Sequence, residues 1–70
     1  MPYKYREIAL RLALLGYVID RQKWSHVIFI KDGIIFPVPK HPGRDISPGV
    51  EKKIISLVGL TSEEFKNLKK

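Results

Sequence analysis

The 70-residue chain has no cysteine, one methionine, one tryptophan and only 7 acidic residues. Without cysteine there is no disulfide framework, no thiolate zinc site and no cysteine nucleophile, so the fold must hold by packing alone, and a reducing cytoplasm is the expected setting. Long apolar runs are missing too. The longest, Leu12 to Ile19 with Gly16 inside it, falls far short of the roughly 20 residues a spanning helix needs. Arg11 splits the apolar stretch near the N-terminus and no small-residue cleavage site follows, so no signal peptide is expected either. These absences point to a soluble protein with no membrane partner. The shortage of acids is equally informative, because 13 Lys and Arg stand against 7 Asp and Glu and leave a net charge of +6. At 44% hydrophobic residues the chain is too apolar for a disordered basic tail. The charge is therefore carried on a folded surface, which favours polyanions such as nucleic acid. Residues 1–70 make one small domain, of a size that buries only about 60% of the surface its unfolded chain exposes. Any chemistry must sit on a surface rather than in a deep pocket.

From Lys4 to Leu15, Ile8, Leu12 and Leu15 recur at helical spacing among Lys4, Arg6, Glu7 and Arg11, which predicts an amphipathic helix closed by a left-handed Gly16. Tyr17, Val18 and Ile19 then open a first strand. His26 to Lys31 is β-branched and aromatic, and Asp32-Gly33 separates it from Ile34-Ile35-Phe36, the strongest short hairpin signal. A two-residue loop sets the register, with Lys31 facing Ile34, Phe29 facing Phe36 and His26 facing Pro39. Pro37 and Pro39 cannot donate to a ladder, so the third strand is an edge. Ser47-Pro48 starts a second helix with Val50, Ile54, Leu57 and Val58 on its apolar face, ending at Gly59. Thr61 with Glu64 forms a capping box for a short last helix. The expected fold class is α+β, a two-layer α-β-β-β-α domain with a three-stranded antiparallel sheet, helices on one face and a short C-terminal helix.

If Val27 and Phe29 point at the helices, His26, Ile28 and Ile30 share the opposite face. The hairpin register places Pro39, Lys40 and His41 alongside His26, while Arg21 and Lys23 approach from the preceding turn and Arg44 from the following loop. Asp20 and Asp45 lie in the same stretch without cancelling this charge. An imidazole ordinarily titrates near pH 6.5 and suits proton transfer at neutral pH. If the polyanion is RNA, attack of a 2′-hydroxyl on its own phosphodiester needs only an acid or base and cations for the phosphorane charge. His26 fits the first role, and Lys23, Lys40 or Arg44 the second. His41 is either a second acid or a loop residue. Trp24 is either a base-stacking platform or a turn residue covering the sheet edge. A zinc site from His26 and His41 lacks a third ligand, so no metal and no cofactor is expected. Basic residues on the helices read as solvated faces. Two other functions fit the same residues: an RNA-binding module that does not cut, and a protein-interaction domain built on Ile28, Ile30 and the edge strand.

The runs Lys23 to Phe29, Val38-Pro39-Lys40-His41, Ile46-Ser47-Pro48-Gly49 and Val58 to Phe65, with the opening helix leading to Leu15-Gly16-Tyr17, resemble the HicA family of mRNA interferase toxins. The resemblance spans nearly the whole chain. It implies a double-stranded-RNA-binding-like fold, metal-independent endoribonuclease cleavage of mRNA in the cytoplasm, and neutralisation by a HicB antitoxin encoded alongside. By the same resemblance the catalytic histidine is His26, and the residues that the register and the charge gather around it, Arg21, Lys23, Trp24, Lys40, His41 and Arg44, are the candidate RNA contacts. One position departs from the family pattern: Trp24 stands where a glycine two residues before the histidine is usual. Glycine there permits a positive φ or close approach of an RNA backbone, and an indole blocks both unless the turn is rebuilt.

Overall fold

A computed structural model describes residues 2–41 and 43–68. In chain order its elements are α1 (Tyr5–Leu14), β1 (Val18–Lys23), β2 (His26–Lys31), β3 (Ile34–Pro39), α2 (Pro48–Val58) and α3 (Ser62–Lys66). The strands form one antiparallel sheet in the order β1-β2-β3, so the fold is the expected α-β-β-β-α arrangement followed by a short helix, and β3 is an edge. Asp32 and Gly33 adopt φ of +49° and +82°, the two left-handed conformations that a tight turn of this kind requires. The register follows from the loop length, with Lys31 opposite Ile34, Phe29 opposite Phe36 and His26 opposite Pro39. Gly16 at φ +96° ends α1, the Ser47 hydroxyl accepts from the Val50 N–H, and Thr61 and Glu64 exchange capping bonds of 3.1 and 2.9 Å.

Alternation along β2 buries Val27 and Phe29 with Phe36 and Val38 of β3, against Ile8 and Leu12 of α1, Ile54 and Ile55 of α2 and Phe65 of α3. The helices therefore cover one face of the sheet. They stop short of β1, every residue of which is exposed. The apolar face expected for α2 is corrected in one respect. Ile55 is buried where Leu57 was expected, and Leu57 remains 39% exposed. The helix seats the adjacent pair Ile54 and Ile55 on its contact line, which turns Leu57 onto the flank facing β3.

Arg11 is the other departure from helical patterning, since it is buried rather than solvated. Its guanidinium donates to the carbonyls of Phe65 and Lys66 at 3.0 and 3.1 Å and to that of Glu7 at 3.1 Å, and it lies 4.9 Å over the Tyr3 ring. Two of these acceptors are last-turn carbonyls of α3, which have no partner within their own helix. A cation there also meets the negative end of the helix. Arg11 thus fastens α3 to α1. Replacing Arg11 by Ala removes all three side-chain hydrogen bonds, although the Phe65 carbonyl keeps the Leu68 N–H at 3.2 Å, and is expected to cost about 2–3 kcal/mol, lowering a circular-dichroism melt by roughly 10–20 °C for a chain of this size. Arg11→Lys is expected to recover less than half of that loss, because one ammonium cannot span the same carbonyls. An Arg11→Ala melt within about 2 °C of the parent would refute the fastening role.

Candidate functional site

His26 opens β2, opposite Pro39 of β3 and Lys23 of β1. Directly opposed residues share a face of a pleated sheet, so the uncovered face consists of three cross-strand rows. These are Lys23-His26-Pro39, Arg21-Ile28-Pro37 and Val18-Ile30-Ile35. The last row is apolar and open, with Val18 at 61% and Ile35 at 52% exposure. The face grades from apolar at the Asp32-Gly33 end to basic at the other, where His26 is exposed.

A bulge creates this gradient. The pairing passes from Ile19↔Phe29 to Arg21↔Ile28, leaving Asp20 as the extra residue. Had the ladder run on without it, Asp20 would sit opposite Ile28, and Arg21 and Lys23 would face the helices. One inserted residue reverses every later side chain. Arg21 and Lys23 therefore reach His26 from strand β1 itself, which corrects the expected approach from a turn. Arg21 is not bare, because its Nε lies 3.6 Å from the Asp20 carboxylate.

Lys40 does not join this group. It follows Pro39 by one residue and so falls on the helix side, where its ammonium sits 5.3 Å over the Tyr5 ring of α1. Burial pushes the Tyr5 hydroxyl pKa up, so the cation rests on a neutral ring. His41 and Arg44 line a hollow with Ser47, Pro39 and Val50, whereas His26 lines the adjoining one with Ile35, Pro39, Val50, Lys53 and Leu57. Pro39 and Val50 are common to both and separate the two histidines. The cation that does share the hollow of His26 is Lys53, which helical patterning assigns to a solvated face. Val50, Lys53 and Leu57 lie three and four residues apart on one flank of α2, a spacing visible in the sequence. Which flank meets the β3 edge is decided only by tertiary packing.

A wider depression along the start of α1, between Lys4 and Leu10, contains no histidine. The Asp45 carboxylate is held by Lys4 at 3.0 Å, and among the described residues no carboxylate lies within ion-pair distance of His26. Nor, among those residues, do three or more His, Cys, Asp or Glu side chains gather as metal ligands.

Between Lys23 and His26 the two-residue turn Trp24-Ser25 carries the departure noted above. Trp24 itself adopts φ +55°, so the indole does not block the left-handed conformation that glycine would permit. The indole is 84% exposed, with the Lys23 ammonium 5.4 Å from the ring centre.

The family model for the HicA toxin of bacterial toxin–antitoxin systems matches residues 5–60, from the start of α1 past the end of α2. The chain belongs to the HicA toxin family. No curated protein matches it. As a HicA toxin it is one half of a toxin–antitoxin pair, with a cognate antitoxin as partner. The matched segment holds His26, Lys23 and Lys53, while α3 lies beyond it. Among the described residues no helix of this HicA toxin is long and apolar enough to cross a membrane.

The turn before His26 makes a stability test possible. A left-handed non-glycine residue carries strain of about 1–2 kcal/mol, and glycine removes it while losing about 0.5–1 kcal/mol to backbone entropy. Trp24→Gly is therefore expected to melt at or slightly above the parent. Trp24→Val, which places a β-branched residue at positive φ, is expected to melt below it. The reverse order in thermal melts would show that φ at this position does not govern the turn.

Proposed function

We propose that this HicA toxin is a metal-independent endoribonuclease that cuts messenger RNA in the cytoplasm, with His26 as its general acid or base. One observation carries the proposal. An exposed imidazole stands in a row with Lys23 on a sheet face that no helix covers, and it lines, with Lys53 of α2, one hollow at the β3 edge. RNA brings its own nucleophile, so an open face with one proton-transfer group and two cations has enough machinery. In the reaction O2′ bonds to phosphorus and the P–O5′ bond breaks, leaving a 2′,3′-cyclic phosphate and a 5′-hydroxyl. One proton leaves O2′ and another reaches O5′, and the imidazole carries one of these transfers. Lys23 and Lys53 hold the phosphate and offset the charge that builds on it. Lys40, His41 and Arg44 then serve as outlying RNA contacts.

The partner antitoxin is a HicB-like protein encoded beside the toxin. It docks on the uncovered face, where Val18, Ile30 and Ile35 offer apolar area next to the site, and so covers His26.

His26→Ala is expected to abolish growth inhibition and slow cleavage of a long RNA in EDTA by roughly 10²- to 10⁴-fold, with the melting curve unchanged because the side chain is exposed. Undiminished cutting by the variant would remove His26 from the reaction. If the parent binds RNA in EDTA without cutting it, the chain is a binding module instead. Binding should also weaken with salt, by about 0.7 logarithmic units per tenfold rise in salt for each phosphate neutralised on a single strand. Lys23→Ala and Lys53→Ala are each expected to flatten that dependence by about one phosphate's worth. Lys40→Ala, occupied on Tyr5, should flatten it less, and the opposite ranking would exchange the assignments of Lys40 and Lys53.

A further inference from the structure

Trp24 occupies a position that a tryptophan has no internal reason to hold. Its backbone is left-handed at φ +55° and its indole is 84% exposed. Exposure alone would be ordinary for a single surface aromatic. Exposure combined with an unfavourable backbone, two residues before His26, is a different matter, since such strain persists only where the surroundings enforce it and gathers at functional sites.

The surroundings do enforce it. The Gln22 side-chain amide donates to the Trp24 carbonyl at 3.2 Å, and the Ser25 carbonyl accepts from the Lys40 N–H at 2.6 Å. The turn is tied to β1 on one side and to the chain leaving β3 on the other, so the indole stands on a braced base. Lys23 places its ammonium 5.4 Å from the ring centre, which leaves most of the π surface open. A flat aromatic surface beside a cation is the combination that holds single-stranded nucleic acid, with a base stacked on the ring and its phosphate on the ammonium.

We propose that Trp24 is a nucleobase-stacking subsite that seats an unpaired base of single-stranded RNA next to the phosphodiester at His26. This rests on the RNA-cleaving reading of the same site and narrows its substrate class. Bases inside a duplex have both faces covered by their neighbours and cannot stack on a protein ring. The subsite therefore selects single strands, loops or splayed bases, even though the fold resembles domains that read duplex shape. Lys23, placed on the same face by the bulge, lies between Trp24 and His26, and Arg21 stands opposite Ile28, beyond His26 on that face.

Because the chain has one tryptophan, its fluorescence reports this subsite alone. The experiment titrates the His26→Ala variant, in EDTA, with end-labelled single-stranded RNA, with the same RNA lacking one base at successive positions, and with a long duplex. Anisotropy of the label and tryptophan emission are read together. The expected result is saturable quenching by the single strand, little quenching by the duplex, and loss of quenching when one particular base is missing. Trp24→Ala in the same background should weaken single-strand binding on the order of 5- to 150-fold, and Trp24→Phe should restore most of it. Binding seen by anisotropy with emission unchanged, or Trp24→Ala binding as tightly as its parent, overturns the subsite. Equal quenching by the duplex overturns the single-strand assignment.

The cleavage reading fails separately. Quenched binding of the single strand, with no cutting by the unmodified protein, keeps the subsite and removes the nuclease. Cutting that depends on His26, with emission unmoved, does the reverse. Absence of any RNA binding overturns both.

Discussion

Strand β2 is paired on both sides, and its pleat decides the character of both faces of the sheet. Val27 and Phe29 are 2% exposed, and each such side chain contributes about 1.5–3 kcal/mol by leaving water. A slip of one residue would expose both and bury His26 in their place. The exposure of the histidine is therefore a by-product of core packing and needs no interaction of its own. Two local devices maintain the alignment, the Asp32-Gly33 turn toward β3 and the Asp20 bulge toward β1. The first keeps His26 opposite Pro39. The second brings Lys23 onto the same face.

The net charge of +6 overstates the surface available to a polyanion. Arg11 is buried against carbonyls of α3, Lys4 is bonded to Asp45, and Lys31 donates to the Leu15 carbonyl at the C-terminal end of α1, where a cation is favoured. Lys40 lies on Tyr5. These cations help to hold the fold. Lys23 stands opposite His26 with its ammonium over the exposed Trp24 ring, outside the core, and Lys53 shares the hollow of His26, so the electrostatics of the candidate site come from two residues on different elements. A thin core makes this division necessary, because a chain this short has little apolar area to spare and must also use charged side chains as fasteners.

Features governed by local chemistry are legible in the sequence. Asp32-Gly33 demanded a two-residue turn, its length dictated the pairing of β2 with β3, Gly16 and Gly59 marked helix ends, and Thr61 with Glu64 marked a helix start. What escaped depends on neighbours distant in sequence. Nothing in Asp20-Arg21-Gln22 announces a bulge, since the pattern is polar throughout and no apolar residue betrays a change of face. Lys40 and His41 follow Pro39 directly in sequence, but alternation past the end of a strand sends Lys40 to the helices and the loop carries His41 into the next hollow. Arg11 looks solvated on a helical wheel, and only the docking of α3, some 54 residues further on, surrounds it with acceptors. Lys53 belongs to the site solely because α2 turns that flank toward the edge of β3.

The two turns that bound β2 and its neighbours show the difference between a residue kept for its backbone and one kept for its side chain. At one end Asp32 and Gly33 are residue types that tolerate positive φ with least strain, and a Cβ added to Gly33 would meet nothing within 4 Å. Space is not the constraint there, and the dihedral angle alone accounts for the choice. At the other end the same left-handed geometry is held by Trp24, a poor residue for it. If backbone shape were all that mattered before His26, glycine would serve better. The indole buries almost nothing, so core stability does not explain it either. What remains is the surface it presents, a flat exposed ring beside a cation, at the one end of the sheet where an imidazole faces solvent.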